Sequence, residues 1–249
     1  MGEWLPEGKT AAVCLSVDDV HPATSAGSVT RGDLAVAALA HLRALQEKHA
    51  SLRVTLFTTP DWRSSSPVPG THWSSRTPLL RHVIFHARPL QRGLNRIERD
   101  SGFASLLRSW PRSEVGLHGL NHVRRGVRPV VEFHRRTRRA CERILRRSAA
   151  MFADARIPIV SGVCPPGWEA PPGLLQAMGD LGMLFVSSAR DLDTPISRYA
   201  LTNGSGLRGV ALIEPQWIQD RRLVHVPVNF QATSSFERAH SIVENGGVL

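Results

Sequence analysis

Two adjacent carboxylates, Asp18-Asp19, stand at the end of an apolar run, and two imidazoles, His118 and His122, follow another about a hundred residues later. These residue types at these spacings are the parts of a metal-dependent hydrolase. The run 11–17 is short, apolar and β-compatible, which predicts a buried strand that delivers both carboxylates to its C-terminal end. Adjacent strand residues face opposite ways, but at a strand end the chain turns. One carboxylate can then bind a cation while its neighbour points at a water on that cation. The i, i+4 spacing of the imidazoles lets both rings meet one ion if the turn is helical or nearly so. Two imidazoles and a carboxylate leave an ion open to water. A third segment, Val163-Cys164-Pro165-Pro166-Gly167-Trp168, also closes an apolar run, and its tryptophan offers a flat wall suited to sugar rings.

Each motif alone is weak. A lone Asp-Asp pair is usually a helix cap or a surface turn, and His-x-x-x-His is similarly common. Weight comes from both standing in order at strand ends with the Pro-Pro-Gly-Trp turn after them. His41, His49, His72, His82, His86 and His134 have no carboxylate at metal spacing, and His240 reads as solvated on the last helix. Trp110 and Trp217 read as core or rim. Cys164 reads as a packed or pocket-lining thiol.

The elements that must position these groups alternate. Strands are expected at 11–17, 52–58, 114–118, 157–163, 183–187, 207–213 and 223–228, and helices at 32–49, 129–155, 172–181 and 236–244, with a further helical stretch in 78–110. Such alternation means a parallel sheet or barrel. Asp33, three residues after Thr30, suits a helix start, and Pro129 and Pro172 sit where a first-turn proline is tolerated. The Ser-, Pro- and Gly-rich segment 63–77 reads as a surface loop able to act as a lid. Residues 245–249 read as a turn and the start of another strand. The expectation is one domain over 1–249 whose last strand is cut short or supplied by a partner copy, which leaves room for a homo-oligomer.

With 249 residues the chain can bury a full core, and three widely spaced cysteines form neither a disulfide framework nor a zinc knuckle. No basic leader precedes an apolar stretch and no run of membrane-spanning length occurs, so a cytoplasmic protein with no membrane partner is expected. The formal net charge of +10 is almost wholly arginine, Lys9 and Lys48 being the only lysines. Its densest run, from Arg135 to Arg147, falls on a helical pattern with apolar Val131, Ala140, Ile144 and Met151, so it reads as the solvated face of an amphipathic helix. No zinc-finger, helix-turn-helix or aromatic RNA-binding signature accompanies it, and nucleic acid is not expected as a partner.

Taken together, Ser16-Val17-Asp18-Asp19, His118-Gly119-Leu120-Asn121-His122 and Cys164-Pro165-Pro166-Gly167-Trp168 resemble, in order and spacing, the three motifs of the polysaccharide deacetylase (NodB-homology) superfamily, the carbohydrate esterases of family four. The resemblance implies a distorted (β/α)7 barrel with its site at the C-terminal strand ends. It implies Asp18 as general base, Asp19, His118 and His122 as metal ligands, and Pro166 and Trp168 lining the groove. Three departures stand out. Cys164 replaces the arginine that holds the base, and Arg190 is a stand-in to consider. His21 follows Asp18-Asp19-Val20 where Gly-Pro is usual, which places His21 at the pocket. The late Leu-x-His motif that protonates the leaving amine is absent, and His225 is its expected substitute.

The expected function is therefore hydrolysis of an N-acyl, foremost N-acetyl, amide on an amino sugar or related small biosynthetic intermediate. The expected cofactor is a divalent metal, foremost zinc, and the basic surface suits an anionic substrate. A barrel that binds a metal or ligand without turnover, and an amidohydrolase acting on a cyclic imide or ureide, are the alternatives.

Overall fold

The computed structural model describes residues 4–5, 7–22, 36–62, 95–124 and 130–249. The Thr30/Asp33 helix start, the loop 63–77 with His72, the earlier part of 78–110 with His82 and His86, and Pro129 lie outside them. The chain divides into two compact units, one of Ser16–His134 with Arg143–Val160, the other of Met1–Leu15 and Arg135–Glu142 with Ser161–Leu249.

The first unit is built on β1 (Leu15–Val20), α1 (Val36–Lys48), β2 (Val54–Thr58), α2 (Ser101–Ser109) and β3 (Ser113–Leu117). Its strands lie in the order β1-β2-β3, and β2 and β3 run parallel from Val54↔Ser113 to Thr58↔Leu117. Leu56, Phe57, Val115 and Leu117 are buried on these strands, and alternation gives way to near-continuous burial, as expected of a parallel ladder covered on both faces. Gln46 of α1 ties the helix to the approach to β3: its amide donates to Pro111 O at 3.0 Å and its Oε1 accepts from Trp110 Nε1 at 2.8 Å. Trp110 is thus a core residue. Asp100 caps α2 by accepting from the Phe103 amide at 2.8 Å. A short antiparallel pair, β4 (Val123–Arg124) and β5 (Val130–Val131), follows the histidine segment.

Helix α3 (Arg138–Asp154) carries the arginine run. Its buried Cys141, Ile144, Leu145, Ser148 and Phe152 recur every three or four residues, while Arg139, Arg143 and Arg147 are exposed, so the amphipathic reading holds. The helix begins nine residues later than the apolar pattern suggests, because 130–131 are taken up by pairing with β4.

The second unit holds β6 (Gly162–Val163), α4 (Pro172–Asp180), β7 (Phe185–Ser188), β8 (Gln216–Ile218), β9 (Leu223–Pro227) and α5 (Phe236–Glu244), with strand order β6-β7-β9-β8. The pairs β6–β7 and β7–β9 are parallel, and β8–β9 is antiparallel. The mixed α/β, mostly parallel architecture expected from alternation is therefore what forms. Residues 207–213 depart from the expectation. They make only a Leu201↔Ala211 bridge, because Gly209 turns back onto Thr202 (Gly209 N to Thr202 O, 2.9 Å). Leu212 and Ile213 instead pack with Ile242 of α5. At the other end, 245–249 form a turn and then pair with the start of the chain, Leu249 N donating to Ala12 O at 2.9 Å and Cys14 N to Leu249 O at 2.7 Å.

Candidate metal centre

Strand β1 runs to Val20, three residues beyond the apolar run, so Asp18 and Asp19 lie within the strand and not past its end. What re-aims them is a backbone distortion: Asp19 has φ 57°, a left-handed conformation that breaks the strict alternation of side chains. Pairing resumes at once, since Val20 O accepts from Thr59 N at 2.9 Å.

The histidine segment leaves β3 as an irregular turn, not a helical one. Gly119 (φ 75°) and His122 (φ 66°) are both left-handed, and this turn, not the 3.6-residue period, brings the two rings to one side. His118 N donates to Thr58 O at 3.0 Å and Thr59 Oγ1 to His118 O at 2.8 Å, which pins the first imidazole to β2. Asn121 fastens the middle of the turn through Nδ2 to Asp61 O at 2.9 Å, and Ser148 Oγ donates to Gly119 O at 2.8 Å.

Asp19, His118 and His122 meet. His118 Nε2 lies 3.1 Å and His122 Nε2 2.9 Å from the same Asp19 oxygen, Oδ1, and the ring centroids are 5.3 Å apart. His118 is buried at 3% side-chain exposure, while Asp19 keeps 33%, so the cluster has an enclosed back and an accessible front. Burial alone pushes the Asp19 carboxyl up, but hydrogen bonds from both imidazoles outweigh it and hold the group well below the usual carboxylate range. Asp18, half-buried, has a carboxylate oxygen within 4.8 Å of a His118 ring nitrogen.

These donors fit a divalent ion. Two imidazole nitrogens and a carboxylate oxygen lie within 4.8 Å of one another, an N2O set that zinc and similar ions accept with positions left for water.

His21 is buried against this cluster's aromatic side. Its ring stacks on Trp62 at 3.9 Å and 14°, and Trp62 in turn lies 4.8 Å from the His122 ring. Burial pushes the His21 imidazole down to about 4, so it is neutral at physiological pH. Trp62 escaped the sequence reading: it stands alone between a strand and a polar loop, and only the tertiary fold brings it to two histidines from other segments.

Pro166, Trp168, Arg190 and His225 belong to the second unit. Pro166 is buried in a short 3-10 turn, and Trp168 (φ 54°) follows Gly167 (φ 64°), its carbonyl accepting from Ser188 Oγ at 2.6 Å. The Arg190 guanidinium lies 4.7 Å over the Trp168 ring and donates to Gln231 Oε1 at 2.9 Å, so it is already committed within this unit. Cys164 is buried. His225 is buried on β9, and that burial pushes its imidazole down to about 4.

No family model and no curated protein matches the sequence. Among solved structures, a candidate polysaccharide deacetylase from Mycobacterium smegmatis is similar at 16% identity and TM-score 0.48, over 98% of this chain and 76% of that one. A candidate polysaccharide deacetylase involved in O-antigen biosynthesis from Bordetella bronchiseptica is similar at 15% identity and TM-score 0.39, over 86% and 56%. The Xyl-CE4 domain of a multidomain xylanase from the hindgut metagenome of Trinervitermes trinervoides is similar at 8% identity and TM-score 0.37, over 97% and 87%.

Proposed function

We propose that this chain is a divalent-metal-dependent amide hydrolase that removes an N-acyl group, foremost N-acetyl, from an amino sugar or related small substrate. The observation that carries the reading is the convergence of His118 and His122 on one oxygen of Asp19, with a second carboxylate, Asp18, one residue away. Asp19, His118 and His122 would hold the ion, which when bound supplies a Lewis acid for the amide carbonyl and lowers the pKa of water. Asp18 is the general base that accepts the proton of the attacking water. Water adds across the C–N bond, leaving a free amine and a carboxylate. The neutral His21 and the Trp62 face close the aromatic side of the cluster and keep bulk water from it.

Trp168 and Pro166 are proposed as groove residues, and His225 as the substitute for the family's leaving-group histidine. Held neutral by burial, His225 offers a ring N–H and not an imidazolium. The +10 charge favours an anionic substrate through its field. No helix among the described residues is long and apolar enough to cross a membrane.

The test is acetate release from N-acetyl amino sugars and nucleotide-sugars by metal-reconstituted protein, with Asp18→Asn and His118→Ala alongside. Release by the wild type and by neither variant supports the reading. Zinc retained with no release from any compound turns the assignment to the non-catalytic barrel, which the buried Cys164 at the family's arginine position and the committed Arg190 favour. Ring-opened product from an imide or ureide without acetate would assign the remaining alternative.

A further inference from the structure

We infer that Glu132 is a positioning residue for the metal ligands, acting through the turn that carries both histidines; this rests on the metal-centre reading above. Glu132 is 3% exposed, and its Oε2 accepts from the Leu120 amide at 2.7 Å and the Asn121 amide at 3.0 Å. Its own backbone N–H donates to His122 O at 3.1 Å. One residue therefore holds three consecutive members of the His118-to-His122 turn from inside.

The turn needs such a hold. A non-glycine residue at positive φ stands about 1–2 kcal/mol above its right-handed alternative, and His122 sits at 66°. Consecutive amide N–H groups on a turn of this kind converge into an anion-sized concavity. A carboxylate in that concavity makes charge-assisted bonds, roughly twice as strong as those of a neutral acceptor. With Glu132 in place, the left-handed turn is the one in which Leu120 and Asn121 find their acceptor, and it is also the one that points His122 at Asp19. A metal-ligating imidazole is usually oriented by a partner on its second nitrogen. Here the orientation is imposed from the backbone side, ten residues downstream in sequence.

The test measures zinc affinity of the full-length protein by chelator competition, with amide hydrogen exchange of the metal-free protein. Glu132→Gln keeps the shape and removes the charge, Glu132→Asp keeps the charge and shortens the reach, and Phe133→Leu loosens the neighbouring buried core while leaving the Glu132 carboxylate in place. Both Glu132 variants are expected to bind zinc about 10- to 100-fold more weakly, the scale of outer-shell changes at metal sites. The Leu120 and Asn121 amides should exchange faster. Phe133→Leu should lower Tm with zinc affinity within about twofold of wild type. Should Glu132→Gln fail to fold, Glu132→Asp carries the comparison. Wild-type affinity in a folded Glu132 variant, or equal weakening in Phe133→Leu, would overturn the inference. A wild type that binds neither zinc nor cobalt removes the metal reading itself, an outcome distinct from both.

Discussion

Among the described residues each unit has one aspartate whose carboxyl is held below its ordinary pKa, and the two are held in different ways. Asp191, in the second unit, is 3% exposed and accepts from the amides of Asp193, Thr194, Asn203 and Gly204 and from Thr194 Oγ1, at 2.7–3.2 Å. Burial pushes it up, and hydrogen bonds from Thr194, Asn203 and Asp193 outweigh that and bring it to about 2. Arg238 closes the knot by donating to the carbonyls of Asp191, Thr194 and Asn229. Asp19, in the first unit, is satisfied by two imidazoles. Backbone amides cannot move away or change protonation, so Asp191 is a fixed structural hub. Imidazoles can turn their lone pairs to an ion, so the Asp19 cluster can exchange a proton-mediated contact for a metal-mediated one. A low carboxylate pKa does not distinguish a site from a scaffold; the nature of the donors does.

The contrast can be broken most severely at the catalytic side. Asp18→Asn is expected to lower kcat by about 10²- to 10⁴-fold with zinc retained, the range of a lost general base. His118→Ala should abolish zinc binding. Steady-state kinetics with metal analysis checks both, and an active Asp18→Asn enzyme would sink the assignment of the base.

Next in size is a pH effect in the second unit. His225 titrates near 4 when folded and near 6.5 when unfolded, so its stabilisation is full above about pH 6.5 and is lost as pH falls toward 4, because the unfolded chain takes up the proton first. The loss amounts to on the order of 3 kcal/mol. Denaturant melts between pH 7 and 4 should show a slope that flattens in His225→Gln; an unchanged slope would refute it.

Removing the charge of the hub comes third. Asp191→Asn is expected to destabilise by about 2 kcal/mol, since one neutral amide cannot serve five donors, while zinc affinity stays at the wild-type value. Coupled loss of zinc binding would erase the distinction between hub and site. The smallest effect is expected for the His21–Trp62 stack itself: a double-mutant cycle of Trp62→Leu with His21→Leu should give a coupling of about 1 kcal/mol beyond the burial each ring loses, read from denaturant melts.

Much of this was legible in the sequence where one stretch carries its own signal. Helix α5 spans 236–244 as its pattern expects, and α4 starts at Pro172, because caps and periodicity are local. The three motif segments stood out in the sequence for the same reason. The backbone that aims them was not. The turn at His118 to His122 looks helical by spacing, yet Gly119 and His122 take positive φ in a turn that Glu132 and Asp61 hold from distant positions. The Asp18-Asp19 pair lies inside β1, since neighbouring β2 extends the ladder past the apolar run. The short β8 has only three residues and is specified by its antiparallel partner β9. The His21–Trp62 stack joins residues forty-one positions apart and leaves no periodic trace.

The left-handed backbone at Asp19 and His122 also bears on how this protein responds to selection. His122 would take that conformation more readily as glycine or asparagine, whereas Asp19 is already of a type that enters it and is held there by two imidazoles. A library sorted for thermal tolerance alone should therefore drift toward Gly or Asn at 122, gaining melting temperature while discarding one of the three proposed ligands. Consensus or heat-challenge engineering of this chain would need a metal-retention gate at every round.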